Sequence, residues 1–205
     1  MSSAYYKIRK HREGESIMAI KIFIDQGHNP RNPNAGAEGN GLYEQNITYE
    51  VGILLAELLN ANQNFDVKLS RPTPETSLGS SNSESLAIRA AEANNWGADY
   101  FISIHANAST ISSATGTEAF VYSTTSPAYN LAAHITENIS EKTGLPNRGV
   151  YVRPSLYVLR KTVMPATLVE LGFITNPIDA ELMDKNPNLF AEGIYQGILE
   201  YFGLS

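Results

Sequence analysis

His28, Glu44, His105 and Glu170 are the residues of this chain whose types and positions could do chemistry. The first three fall where a strand-like run gives way to a loop or a helix, and Glu170 lies in the last apolar run, ATLVEL (166–171). Two imidazoles and a carboxylate suit a borderline-soft divalent ion such as Zn²⁺, with one coordination position left for water, while a further carboxylate can move protons. The layout is that of a catalytic metal site. Cysteine is absent, which removes thiolate ligands, disulfides and a Cys nucleophile together and leaves His and carboxylates as the strong ligands.

Each of these residues also has a plainer reading. A His near a strand end is often a hydrogen-bonded structural residue, although the apolar run before His105 offers it no evident partner. Glu44, as the first residue of a helix, is favourable at the positive end of the helix dipole with no function attached. Glu170 inside ATLVELGFI is costly to bury unless something pairs with it, and an ion pair with Arg148, Arg153 or Arg160 is the structural alternative. Asn107, two residues past His105, is placed to bind substrate or to steady the site. His134 shares a helix with the stripe Leu131, Ile135 and Ile139 and reads as non-ligating, and His11 belongs to a polar leader.

Positioning such a set requires a rigid frame, and the chain supplies alternating strand-like and helix-like segments. KIFID (21–25), FDVKLS (65–70), YFISIH (100–105), TEAFVY (117–122) and ATLVEL (166–171) read as strands, and 44–63, 84–96, 128–142 and 188–202 as helices. That alternation predicts a single α/β domain, a mainly parallel twisted sheet with helices on both faces. Loops gather at the carboxyl ends of parallel strands, so His28, His105 and Glu170 converge on one edge, and Glu44 meets them from the start of the returning helix. The stretch 144–154, with two Pro, two Gly and two Arg, reads as a loop near the site.

With 205 residues, 42% hydrophobic and 18% charged, the composition fits one globular unit without a linker or internal repeat. A formal net charge of −6 argues against a nucleic-acid partner. No apolar stretch is long enough to span a membrane or to act as a signal peptide. Residues 1–17 (MSSAYYKIRKHREGESI) read as a leader or added extension, with the folded domain over 18–205. The expectation is a protein that stays in the cytoplasm until it is released, or an isolated domain. It is expected to be monomeric, with any targeting function on a separate domain.

Five runs, IDQGHNP (24–30), GLYEQN (41–46), ADYFISIHANA (98–108), GTEAFVY (116–122) and MPATLVELGFITNP (164–177), occur in an order that resembles one known family. The chain is similar to the zinc-dependent N-acetylmuramoyl-L-alanine amidases of autolysins and phage endolysins over nearly its whole length after Met18. The resemblance implies that His28, Glu44 and His105 bind one Zn²⁺ and that Glu170 is the catalytic acid/base. It implies cleavage of the amide between N-acetylmuramic acid and the first L-alanine of the peptidoglycan stem peptide. Arg148, Arg153 and Arg160 are then candidates to bind stem-peptide carboxylates, and Asn107 to contact substrate. Gln26 and the Asn29-Pro30 pair depart from the family's usual surroundings of the first His, which bears on loop stiffness and not on the ligand set.

Two other functions compete with this one. A wall-binding module could keep the fold without turnover, against which stands the presence of all four site residues. A zinc carboxypeptidase acting at stem-peptide ends would use the same ligands and release single amino acids.

Overall fold

The chain's architecture, seen in a computed structural model that describes residues 19–205, follows the alternation of its sequence. In chain order the elements are β1 (Ile20–Gln26), a short hairpin of β2 (Glu38–Gly39) and β3 (Leu42–Tyr43), α1 (Glu44–Asn60), β4 (Phe65–Leu69) and α2 (Asn82–Trp96). They continue with β5 (Tyr100–Asn107), β6 (Thr117–Val121), α3 (Ala128–Thr143), β7 (Asn147–Val152), α4 (Tyr157–Lys161), β8 (Ala166–Phe173), α5 (Pro177–Lys185) and α6 (Pro187–Phe202). The expected leader, 1–17, lies outside the described residues.

Six strands pair in the order β4-β1-β5-β8-β6-β7. All neighbours are parallel except β6 and β8, which run against each other. Strand alternation divides the sheet's two faces. Ile22, Ile24, Ile102, Ile104, Val169 and Leu171 point into the larger core with α1, α3 and α6. Phe23, Phe101, Phe120 and Leu168 point the other way, into a smaller core closed by Ala93 of α2 and by Val158 and Leu159 of α4. Helices therefore cover both faces, as the alternation predicts.

Helix α1 packs through Ile47, Val51, Leu55 and Leu59, four buried side chains at four-residue spacing, with Leu54 and Leu58 partly buried beside them. Burying one such Leu or Ile is worth roughly 1.5–3 kcal/mol. Helix α2 starts at a Ser81 N-cap: Ser81 Oγ accepts the Glu84 N–H at 3.2 Å, and Glu84 Oε2 reaches back to accept the N–H of Ser80, one residue before the cap, at 2.6 Å.

The stretch 144–154 departs from expectation. It holds β7, the sheet's outermost strand, paired in parallel with β6. Its Gly149 sits at φ +92° beside a break in the β6–β7 register, and an edge strand tolerates the Gly and flanking Pro residues that read as loop signals. The reversed direction of β6 and β7 also decides where the three arginines go. Arg148 opens β7 at the end of the sheet that carries the carboxyl ends of β1, β5 and β8, whereas Arg153 follows β7 at the opposite end. There the Arg153 N–H donates to the Val121 carbonyl at 2.9 Å, and Val121 is paired with Thr167 near the start of β8.

Candidate metal centre

The first ligand candidate owes its position to a tightly held turn. After β1, the Gly27 N–H donates to the Ile104 carbonyl at 2.9 Å and the Thr48 hydroxyl donates to the Gly27 carbonyl at 2.7 Å. The turn is thereby fastened to β5 and to α1. His28 follows with φ +69°, a left-handed conformation uncommon outside glycine. Asn29, fully buried, holds the next stretch: its Nδ2 donates to the carbonyls of Pro33 at 2.8 Å and Leu78 at 3.0 Å, and its Oδ1 accepts the Leu78 N–H at 3.0 Å. Gln26 is also buried, its Oε1 accepting the Arg71 N–H at 2.9 Å. The two departures from the family pattern around His28 therefore belong to the scaffold of this loop.

Glu44 is fixed by a reciprocal clasp. Its N–H donates to the Ala37 carbonyl at 2.9 Å, while its Oε2 accepts the Ala37 N–H at 2.8 Å. Its other oxygen, Oε1, accepts the Ala106 N–H at 3.0 Å and lies 3.1 Å from His28 Nε2 and 3.0 Å from His105 Nδ1. Burial alone would raise the Glu44 pKa, but the bonds from His105 and His28 hold its carboxyl far below the usual range. The three potential ligand atoms lie within 4.8 Å of one another, and the imidazole rings meet edge-on with centroids 4.8 Å apart. Two glycines make room. A Cβ on Gly27 would stand 2.6 Å from His105 Cε1, and one on Gly36 would stand 2.7 Å from Glu44 Oε2.

This donor set fits zinc: two imidazole nitrogens and one carboxylate oxygen, gathered at the partly exposed upper edge of the sheet. Two buried polar atoms without a hydrogen-bond partner among the described residues, His28 Nδ1 and Glu170 Oε2, belong to the same region.

Glu170 is paired with His105 across the β5–β8 ladder and with Glu118 across β6–β8. Burial, reinforced by the charges of Glu44 and Glu118, pushes its carboxyl well above the usual range. No cation pairs with it among the described residues, so the ion-pair alternative to a functional Glu170 is corrected. Arg148 pairs instead with Glu118, Nε to Oε2 at 2.7 Å, and lies over the Phe173 ring at 5.1 Å. Asn107 Nδ2 donates to the other Glu118 oxygen at 2.8 Å. Arg153 lies over Phe120 and Arg160 over Tyr157, both away from the metal centre. His134, read as non-ligating, lies 3.4 Å from Glu200 on the α3–α6 side.

The structure thus brings together His28, Glu44, His105 and Glu170, with Asn107 and Arg148 at their rim. It does not bring Arg153 or Arg160 there. Glu118 and Arg89 are site-shaping residues that sequence reading passes over. Glu118 sits in a strand where its alternation with Ala119 and Phe120 makes it look solvent-facing. Arg89 interrupts the apolar stripe Leu86, Ala90 and Ala93 of α2, which was the one signal available.

A mainly parallel sheet that gathers two imidazoles and two carboxylates at its strand ends, three of them able to hold a metal ion and one carboxylate left protonatable, has the layout of a metal-dependent hydrolase. The chain belongs to the N-acetylmuramoyl-L-alanine amidase family, whose sequence profile matches residues 22–200. It is 37% identical over 190 residues to the N-acetylmuramoyl-L-alanine amidase CwlM of Bacillus licheniformis, a match that covers 91% of this chain and 70% of CwlM. It is 35% identical over 191 residues to the amidase LytC of Bacillus subtilis, covering 91% of this chain and 36% of LytC. The crystal structure of an N-acetylmuramoyl-L-alanine amidase from Clostridium difficile 630 superposes with a TM-score of 0.80 at 32% identity, over 90% of this chain and 97% of that one. The protein is accordingly a peptidoglycan hydrolase acting on the amide between N-acetylmuramic acid and L-alanine. No helix among the described residues is long and apolar enough to cross a membrane.

Proposed function

We propose that this chain cuts the muramoyl–alanine amide with one Zn²⁺ held by His28, Glu44 and His105 and with Glu170 as the proton carrier. The observation that supports the reading most directly is the register of Glu170: one carboxyl oxygen, Oε2, buried without a hydrogen-bond partner among the described residues, one strand across from a candidate ligand histidine. Zinc bound there would supply Lewis acidity, polarising the scissile carbonyl and lowering the pKa of a water toward ~7.

The protein's own residues do the rest. Glu170, its affinity for a proton raised by burial and by Glu44 and Glu118, takes the proton released by the attacking water and passes it to the alanine nitrogen as the C–N bond breaks. Without that transfer the amine cannot leave. Glu44, as a ligand, would stay ionised because the charge of the bound cation favours its carboxylate form. Asn107 and Arg148 brace Glu118 from two sides, and Arg148, whose side chain is 39% exposed, presents its remaining donors to a stem-peptide carboxylate. All four site residues belong to this chain, so the site needs no second copy to be complete, and the match covers only 36% of LytC, a relative with room for a further module.

Mass spectrometry of digested peptidoglycan tests the reading. An amidase releases intact stem peptides with a free N-terminal alanine. Release of single amino acids would instead identify a carboxypeptidase, and an unchanged wall a binding module.

A further inference from the structure

Arg89 is almost fully buried, near the middle of α2 on the sheet face opposite α1, and its guanidinium reaches the loop that carries the first ligand candidate. Nη1 donates to Asp25 Oδ1 at 2.6 Å, to the Gln26 carbonyl at 2.6 Å and to Ser70 Oγ at 3.3 Å. Nη2 donates to the His28 carbonyl and to Asn29 Oδ1, and Nε donates to Ser85 Oγ at 3.4 Å. One side chain therefore grips the main chain on both sides of Gly27 and the amide that anchors the following loop.

The same cluster reaches the second histidine. Asp25, whose other oxygen accepts the Ser103 hydroxyl at 2.7 Å, is the register partner of Ser103 on β5, two residues before His105. Burial alone would raise the Asp25 pKa; Arg89 and Ser103 more than offset it and keep the carboxylate ionised. The Arg89–Asp25 pair is charge-neutral and lies directly beneath the ligand-bearing ends of β1 and β5.

We propose that Arg89 is a positioning residue for the metal centre: by holding the Gln26 and His28 carbonyls together, it keeps His28 in its left-handed conformation and so sets the affinity for zinc. A carbonyl chelated by a planar, rigid fork cannot rotate without breaking charged hydrogen bonds in a buried site, and left-handed backbone at a non-glycine residue persists only when its surroundings over-determine it. Partners that orient a ligand from behind are worth roughly 10–100-fold in metal affinity. The inference rests on the zinc reading given above.

Arg89→Lys is the informative variant, since it keeps the charge beside Asp25 but cannot reach both carbonyls with one ammonium. Zinc affinity of the full chain is measured by competition with a chromophoric chelator, and ligand geometry by the visible absorption of the Co²⁺-loaded protein. The metal-free melting temperature is followed alongside. We expect a folded protein that binds zinc at least about 10-fold more weakly than wild type, with an altered Co²⁺ spectrum. Ile198→Val, a core change in α6 remote from the cluster, should lower the melting temperature and leave affinity and spectrum as in wild type. Wild-type affinity and spectrum in Arg89→Lys overturn the proposal, as does an equal loss of affinity in Ile198→Val. If Arg89→Lys does not fold, Ser85→Ala, which removes the Nε acceptor together with the Oγ contacts to Asn34 Nδ2 and Asn29 Oδ1, replaces it, and affinity equal to wild type counts against the proposal. Failure of wild type itself to bind zinc overturns the metal reading, and with it the role given to Arg89.

Discussion

His105 and Glu170 are direct partners in the parallel ladder between β5 and β8. Register partners send their side chains to the same face of a sheet, so the candidate ligand and the candidate proton carrier are fixed side by side by backbone pairing alone. A slip of one residue would send Glu170 into the apolar core with Val169 and Leu171. This relationship fixes which substitution separates chemistry from metal binding.

Glu170→Gln keeps shape and burial but cannot shuttle a proton. Release of stem peptides should fall by roughly 10²–10⁴-fold, while zinc content, measured by elemental analysis, stays at that of wild type. A variant that loses zinc and activity together would assign Glu170 to the ligand set.

The raised proton affinity of Glu170 also has a sign. A carboxyl whose folded pKa lies above its unfolded value stabilises the fold below the unfolded pKa, and this contribution is lost as pH rises through the folded pKa. In metal-free protein, the melting temperature of wild type should therefore decline toward alkaline pH relative to Glu170→Gln. Parallel profiles for the two proteins would contradict the assignment.

Asp25 behaves in the opposite sense, because its folded pKa lies below its unfolded value. Its contribution is present above the unfolded value of 3.8 and disappears as pH falls through the folded one. Asp25→Asn should flatten the acid limb of the stability profile. It should also lower stability at neutral pH by roughly 3–5 kcal/mol, since Arg89 is left as an uncompensated buried charge. Denaturant melts across the acid range provide the check.

Gly27→Ala places a methyl 2.6 Å from both His105 Cε1 and the Ile104 carbonyl, neither of which can retreat without disturbing the ladder or the ligand. Zinc affinity should drop by about 10-fold or more, read by the same chelator competition. Wild-type affinity would mean that the imidazole moves freely.

Arg148→Met tests the rim. With the guanidinium gone, KM for stem-peptide substrates should rise roughly 10-fold, as for loss of one charge-assisted contact, with a smaller change in kcat. Initial rates over a range of muropeptide concentrations separate the two. A fall confined to kcat would place Arg148 in the chemistry instead.

Much of this is legible in the sequence. Periodicity located α1 and its stripe, and apolar runs located β1, β5 and β8, because a strand buried on both faces advertises itself as a continuous hydrophobic segment. The ligand candidates were legible because each follows or precedes such a segment. What escaped depends on distant pairing. β7 is an edge strand with Gly and Pro around it, so its local chemistry reads as loop. The ion-pair alternative for Glu170 failed because Arg148 is spent on Glu118, and nothing near either residue in sequence announces that choice. Arg89 meets Asp25 from 64 positions away, and only the folded sheet brings them together.

The reversal of β6 and β7 divides the molecule into a working side and a handling side. Arg153, bonded to Val121, sits some three strand positions below Glu170, about 10 Å along the sheet, so coupling to a support or reporter through that underside would leave the cleft open to an insoluble polymer as large as a cell wall.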